Sequence, residues 1–155
     1  MTTRSAQHGT IRLERRYKAS PTRVFAAWAE PKARAKWDVP GRWVIAEQIF
    51  DFREGGREVK RFGPKGDPRL VADTLYLDIV PNERIVLTYE MHMDKTRISV
   101  SLGTTEFKPA GQGTRLVYTE QAVYLDGHDD AGAREHGTRA LFDNLEAALK
   151  REAAN

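Results

Sequence analysis

A chain of 155 residues without cysteine has no disulfide staple, thiolate metal site or cysteine nucleophile, yet it is long enough for one domain burying roughly two-thirds of its unfolded surface. Lys and Arg exceed Asp and Glu by three with the signs interspersed, which is by itself no nucleic-acid footprint, since a dedicated binder clusters its cations on one face, and no nucleic-acid partner is expected. The apolar runs are too short to cross a bilayer and the opening MTTRSAQHG has no apolar leader segment, so the expected address is cytoplasmic, with no membrane partner.

Residues 1–9 are polar and expected to be loose, ahead of a single domain over 10–151. From Thr10 to Lys18, Ile11, Leu13 and Tyr17 stand among polar neighbours in the alternation of a half-buried strand. Ser20-Pro21 reads as a helix cap followed by proline at the first helical position, and Val24, Phe25 and Trp28 share one side of the helix it opens. Pro31 stops that helix, and a second short piece, KARAKW, runs to Trp37 before VPG breaks the chain. From there the period is two: strands are expected over 43–52, 58–62, 70–80, 83–92, 96–107 and 114–124, joined by Gly-, Pro- and Asn-containing turns. In the strand 96–107, Ile98, Val100 and Leu102 share one parity and Phe107 has the other, so a bulge is expected near Gly103.

The last element, 130–151, places Gly137, Thr138, Leu141, Phe142, Leu145, Ala148 and Leu149 on one side of a helix and Glu135, Arg139, Asp143, Glu146 and Lys150 on the other. Asp129 or Asp130 stands where its N-cap belongs. Gly137 interrupts the dry side, which points to close approach of another backbone or to space left beside the helix. Strands joined by hairpin-length links and one long amphipathic helix give an α+β domain, a mostly antiparallel sheet whose dry face the terminal helix covers.

Five segments carry a family resemblance: Ser20-Pro21-Thr22-Arg23-Val24-Phe25-Ala26-Ala27-Trp28, Phe50-Asp51-Phe52-Arg53-Glu54-Gly55-Gly56, Pro81-Asn82-Glu83-Arg84-Ile85-Val86, Gly113-Thr114-Arg115-Leu116, and Gly137 with Leu141 and Leu145. In this order they resemble the SRPBCC superfamily, which includes START and birch-pollen-allergen-like domains. Within it the chain is most similar to the branch homologous to the C-terminal domain of the heat-shock-protein-90 ATPase activator. The resemblance implies a helix-grip fold: a curved antiparallel sheet of six to seven strands wrapped around the long C-terminal helix, with two short helices after the first strand and an apolar cavity between sheet and helix. Many relatives have Trp after the helix glycine; Thr138 here is expected to widen the cavity mouth and add a hydroxyl.

Tyr89, Met91, Ile98, Val100, Tyr118 and Leu141 are the candidate lining of that cavity, with Trp37 and Thr138 near its entrance. Each is equally the kind of residue that fills a core. Glu120 shares a face with Leu116 and Tyr118, and a carboxylate there must be paired, hydrogen-bonded or protonated. Arg134 is its candidate partner, and the pair either orients the polar end of a ligand or ties helix to sheet. His92, His128 and His136 lack metal-ligand spacing, so neither a metal nor any other cofactor is expected. Arg12, Arg15, Arg16, Lys32, Arg34, Lys36, Arg57, Lys60, Arg61 and Lys65 read as a solvated basic face over the N-terminal half.

The expected function is therefore a non-enzymatic module binding a small apolar ligand. One alternative is a co-chaperone-like domain that meets a chaperone ATPase through the basic half; another is a cyclase or hydrolase using Glu120 as acid or base. Exposed strand edges leave a homodimer open.

Overall fold

The computed structural model describes residues 3–154. Strand β1 (Ala6–Tyr17) leads into helix α1 (Pro21–Ala29) and the single turn α2 (Pro31–Arg34). Six strands follow, β2 (Val44–Phe50), β3 (Arg57–Gly63), β4 (Leu70–Val80), β5 (Arg84–Met93), β6 (Thr96–Ala110) and β7 (Gly113–Leu125), and the long helix α3 (Ala131–Ala154) closes the chain. The seven strands form one sheet in the order β1-β7-β6-β5-β4-β3-β2, every neighbour antiparallel. From β2 to β7 the sheet is a meander, because each link is a hairpin; β1 then pairs with β7 and turns the chain back across the sheet through α1 and α2. The helix-grip architecture expected from the sequence is the one found.

Local chemistry explains the element boundaries. Ser20 Oγ accepts from the Arg23 amide at 3.3 Å and Pro21 fills the first turn of α1. Asp130, not Asp129, caps α3: its Oδ1 accepts from the Ala133 amide at 2.9 Å. The first strand begins at Ala6, where alternation alone put its start at Thr10, because the register with β7 continues through Gly9↔Ala122 to Ala6↔Leu125. Met1 and Thr2, part of the segment expected to be loose, lie outside the described residues.

Three irregularities bend the strands, between Ile45 and Glu47 in β2, between Tyr76 and Asp78 in β4, and opposite Met91 and His92 in β6. The last corrects the expected position of the β6 bulge. Met91 pairs with Ser99 and His92 with Arg97, so Ile98 is the extra residue and Gly103 sits in regular register with Glu120. From Ser99 onward the buried parity is Ser99, Ser101, Gly103, Thr105 and Phe107. Phe107 thus reaches the core without a second bulge, whereas Val100 and Leu102 turn out to the convex face, 37% and 38% exposed.

On the concave face Phe142, Leu145 and Leu149 of α3 meet Ile11, Leu13, Tyr17, Trp28, Phe107 and Leu116. Edge-to-face contacts of Phe142 with Tyr118 at 5.5 Å and with Trp28 at 6.1 Å fix the lower half of the helix. Two glycines show where α3 is tight and where it is not. A Cβ on Gly9 would stand 2.8 Å from the Ala131 Cβ, whereas a Cβ on Gly137 would meet nothing within 4 Å. Of the two readings of Gly137, space beside the helix is the one that holds.

Gly137→Ala is therefore expected to stabilise the fold by about 0.5–1 kcal/mol, the ordinary gain of alanine over glycine inside a helix. Gly9→Ala, forced against Ala131, should lose about 1–3 kcal/mol. Urea-denaturation midpoints of the two variants, moving in opposite directions, check both.

Candidate functional site

Between the upper half of α3 and the sheet lies a cavity of about 350 Å³. It exists because α3 presents small residues there, Ala133, Gly137 and Thr138, opposite the concave side chains of β3 to β7. Its apolar walls include Trp28, Trp37, Trp43, Phe62, Met91, Ile98 and Leu141. Its polar groups fall into two clusters.

The first cluster is built on Glu120, which is 1% exposed. Parity on β7 forces this carboxylate inward, and burial requires that it be satisfied. Its Oε1 accepts from the Tyr118 hydroxyl at 2.6 Å; its Oε2 accepts from Tyr89 at 2.8 Å, Ser101 at 2.9 Å and Arg134 at 3.2 Å. Arg134 comes from the first turns of α3 and also donates to Tyr89 at 2.6 Å, Ser99 at 2.8 Å and Asp129 at 2.9 Å. Its guanidinium lies over the Tyr89 and Tyr124 rings, 5.6 and 5.5 Å from their centroids. Burial, with Glu120 nearby, pushes the Tyr89 and Tyr118 phenols well above their ordinary value, so both are neutral donors. The Tyr124 phenol, pushed up to about 12 by burial, has a buried hydroxyl without a hydrogen-bond partner.

The second cluster was not foreseen in the sequence. Glu58 and Lys60 of β3 point inward with Phe62, and Arg34 and Asp38 meet them from the end of α2. Lys60 Nζ donates to the Asp38 carboxylate at 2.7 Å and to the Asp38 carbonyl at 3.0 Å, and it lies 4.6 Å from the centre of the Phe62 ring. Glu58 accepts from the Tyr76 hydroxyl at 2.6 Å and from Gln48 at 3.1 Å. Arg34 is held more loosely. It reaches Glu58 at 3.5 Å, and its Nε lies 3.2 Å from Asp38 Oδ2 without the alignment of a hydrogen bond. Burial works against the Asp38 charge, but the Arg34 and Lys60 cations outweigh it and hold the carboxyl below its ordinary value.

Arg34 and Lys60 thus leave the solvated basic face to which the sequence assigned them. The signal was available: the alternation that turns Glu120 inward on β7 turns Glu58 and Lys60 inward on β3, and Arg34 and Asp38 stand one helical turn apart. Nine of the ten candidate residues, Trp37, Tyr89, Met91, Ile98, Tyr118, Glu120, Arg134, Thr138 and Leu141, border the cavity. Val100 does not, because the bulge at Ile98 reverses its side. Trp37 forms part of the wall: it packs 4.6 Å from Trp28, and its indole donates to the Ala27 carbonyl at 3.0 Å. The Thr138 hydroxyl is spent within the helix, on the Arg134 carbonyl at 3.0 Å. Among the described residues no three His, Asp or Glu side chains are placed to share a metal ion.

The Asp38 geometry has a consequence in acid. A carboxyl that binds its proton less readily folded than unfolded stabilises the fold fully above its unfolded value, near 3.8. That contribution drains away as pH falls from there through the lower folded value. Asp38→Asn should therefore flatten the fall of stability below about pH 4 while destabilising the protein at neutral pH, where it leaves Arg34 and Lys60 under-compensated. Denaturation midpoints at pH 3 to 7 check it.

Comparison with known proteins places this geometry in a family. A solved structure of an uncharacterized protein from Rhizobium leguminosarum is 46% identical, with a TM-score of 0.89 over 97% of this chain and 99% of that one. The Mll3558 protein from Rhizobium loti is also 46% identical, with a TM-score of 0.86 over 93% of this chain and 99% of that one. Protein CV1439 from Chromobacterium violaceum is 27% identical, with a TM-score of 0.79 over 89% and 94% of the two chains. No curated protein sequence gives a significant match. Residues 18–150 match the model of one family, and the chain belongs to it: the activator of Hsp90 ATPase homolog 1-like proteins.

Proposed function

We propose that this domain binds one small, largely apolar molecule in the space between α3 and the sheet. The observation that carries the reading is the 350 Å³ cavity itself, bounded by aromatic and aliphatic side chains with a few convergent polar groups. Ligand pockets have this character and begin at roughly 300 Å³. Gly137 supports it, since a helix interior gains by replacing glycine with alanine unless the space beside it is useful.

The family description offers chaperone ATPase activation as a second reading. It needs a free cationic surface, and the one assigned from the sequence is thinned, with Arg16, Lys32, Lys36 and Lys65 still exposed. Arg34 and Lys60 are buried in ion pairs, and Arg15, Arg57 and Arg61 pair with Asp143, Asp73 and Glu47. Catalysis by Glu120 is also disfavoured, because a carboxylate that already accepts four hydrogen bonds is a poor base.

A thermal-shift screen of flavonoids, polyketides and fatty acids tests the proposal. A cavity ligand at one hundred times its Kd should add about 2.7 kcal/mol of stability. Thr138→Trp, which places an indole in the cavity, should keep the fold and abolish the shift. No shift with any compound, or an undiminished shift in Thr138→Trp, would contradict the reading.

A further inference from the structure

We infer that the cavity takes an apolar cation, a protonated amine on a hydrocarbon body, with the ammonium at the Glu120–Asp129 end. The inference rests on the ligand-binding reading above and specifies the charge of the occupant.

The charges that border the cavity do not balance. On the β3 side Arg34 and Lys60 face Asp38 and Glu58, two cations against two carboxylates. Under α3 the single cation Arg134 lies between two carboxylates, Glu120 at 3.2 Å and Asp129 at 2.9 Å. The tyrosines leave this unchanged, because burial raises the Tyr89 and Tyr118 phenols and keeps them neutral. The lining therefore holds three cations and four carboxylates, whereas the whole chain carries a net charge of +3. The positive end of the α3 dipole is met by a further carboxylate, that of Asp130, which caps the helix.

Hydrogen-bonding capacity alone does not choose the occupant, since both senses are left open. Arg34 Nε and the Tyr124 hydroxyl are donors without an acceptor, and Lys60 Nζ makes two bonds where an ammonium has three protons to give. Against these, Asp38 accepts through Oδ2 and not through Oδ1, and Glu58 Oε2 and Glu120 Oε1 accept one bond each. Charge separates the candidates. In a partly dry enclosure an anion adds to a carboxylate that lacks its counter-ion, whereas an ammonium brings the lining to neutrality and finds free lone pairs there. The Arg34 charge makes no matching demand, because Asp38 Oδ2 stands 3.2 Å from its Nε.

The walls act in the same direction. An aromatic face is negative and attracts a cation placed over it. The lining already uses its rings in this way: Lys60 Nζ lies 4.6 Å from the Phe62 centroid, and the guanidinium carbons of Arg34 and Arg134 lie 5.4 Å from Trp37 and 5.6 Å from Tyr89. Trp28, Trp43, Tyr118 and Phe142 border the same space. An ammonium that enters meets ring faces and an uncompensated carboxylate together.

The test puts three heads on one hydrocarbon body: 4-phenylbutan-1-amine, 4-phenylbutan-1-ol and 4-phenylbutanoate, titrated at neutral pH into the intact protein with the methyl signals of Met91, Ile98 and Leu141 as reporters. The amine should bind about tenfold tighter than the alcohol, the worth of a hydrogen bond to a charged group, and the carboxylate more weakly than the alcohol. Non-specific attraction to the surface gives the opposite order, because the chain is positive overall. Glu120→Gln removes the excess charge and should bring the amine to the affinity of the alcohol. Asp129→Asn, at a less buried position, should do the same and serves if Glu120→Gln fails to fold; if neither folds, the ligand series on the natural chain decides alone. Equal affinity of amine and alcohol, preference for the carboxylate, or an amine preference that survives in a folded variant overturns the charge selection while leaving a binding cavity in place. Binding of none of the three while a flavonoid, polyketide or fatty acid binds does the same. Failure of every compound removes both readings.

Discussion

One buried carboxylate organises the upper half of the molecule. Glu120 is carried inward by the pleat of β7, and a charge so placed must collect hydrogen bonds or unfold the region around it. Three hydroxyls from the sheet and the Arg134 guanidinium meet it, and Arg134 anchors the start of α3 above the sheet. The apolar grip of Phe142, Leu145 and Leu149 holds the other half of the same helix. A helix fixed polar at one end and apolar at the other spans the sheet as a beam, and the small residues between its supports leave the cavity beneath it.

How much of this was legible follows from which signals are local. The order of elements, the caps at Ser20 and Asp130 and the inward face of β7 rest on nearest-neighbour chemistry, and they were readable. Glu120 and Arg134 were paired in advance because each sat at an inward position of its own element. The β6 bulge was misplaced because Gly103 is the conspicuous residue of that strand, whereas the extra residue, Ile98, is set by the register with β5. Val100 followed the misplaced bulge. Gly103 has a different use: the Leu87 and Tyr118 side chains approach where its Cβ would be, at 3.3 and 3.5 Å.

The Arg34–Asp38–Glu58–Lys60 group shows a different limit. Charge in a short, Lys- and Arg-rich strand reads as solvation when composition is weighed before parity, and β3 carries both kinds of charge. Arg57 and Arg61 face outward to Asp73 and Glu47, while Glu58 and Lys60 face inward. Only the fold, which brings the end of α2 against β3, supplies the partners that make the inward pair tolerable. Two polar clusters set into an otherwise apolar enclosure are costly to maintain for stability alone, since hydrophobic replacements of buried ion pairs are often neutral or better. Their cost is intelligible if they orient an occupant.

The central claim is that binding occurs inside the sheet–helix enclosure and not on the convex face, where Val100 and Leu102 of β6 are exposed. Methyl-resolved NMR during titration with 4-hydroxybiphenyl separates the two directly. The account expects shifts at Met91, Ile98 and Leu141 with Val100 and Leu102 unmoved. Shifts confined to Val100 and Leu102, or none at the enclosed methyls under saturating ligand, would contradict it.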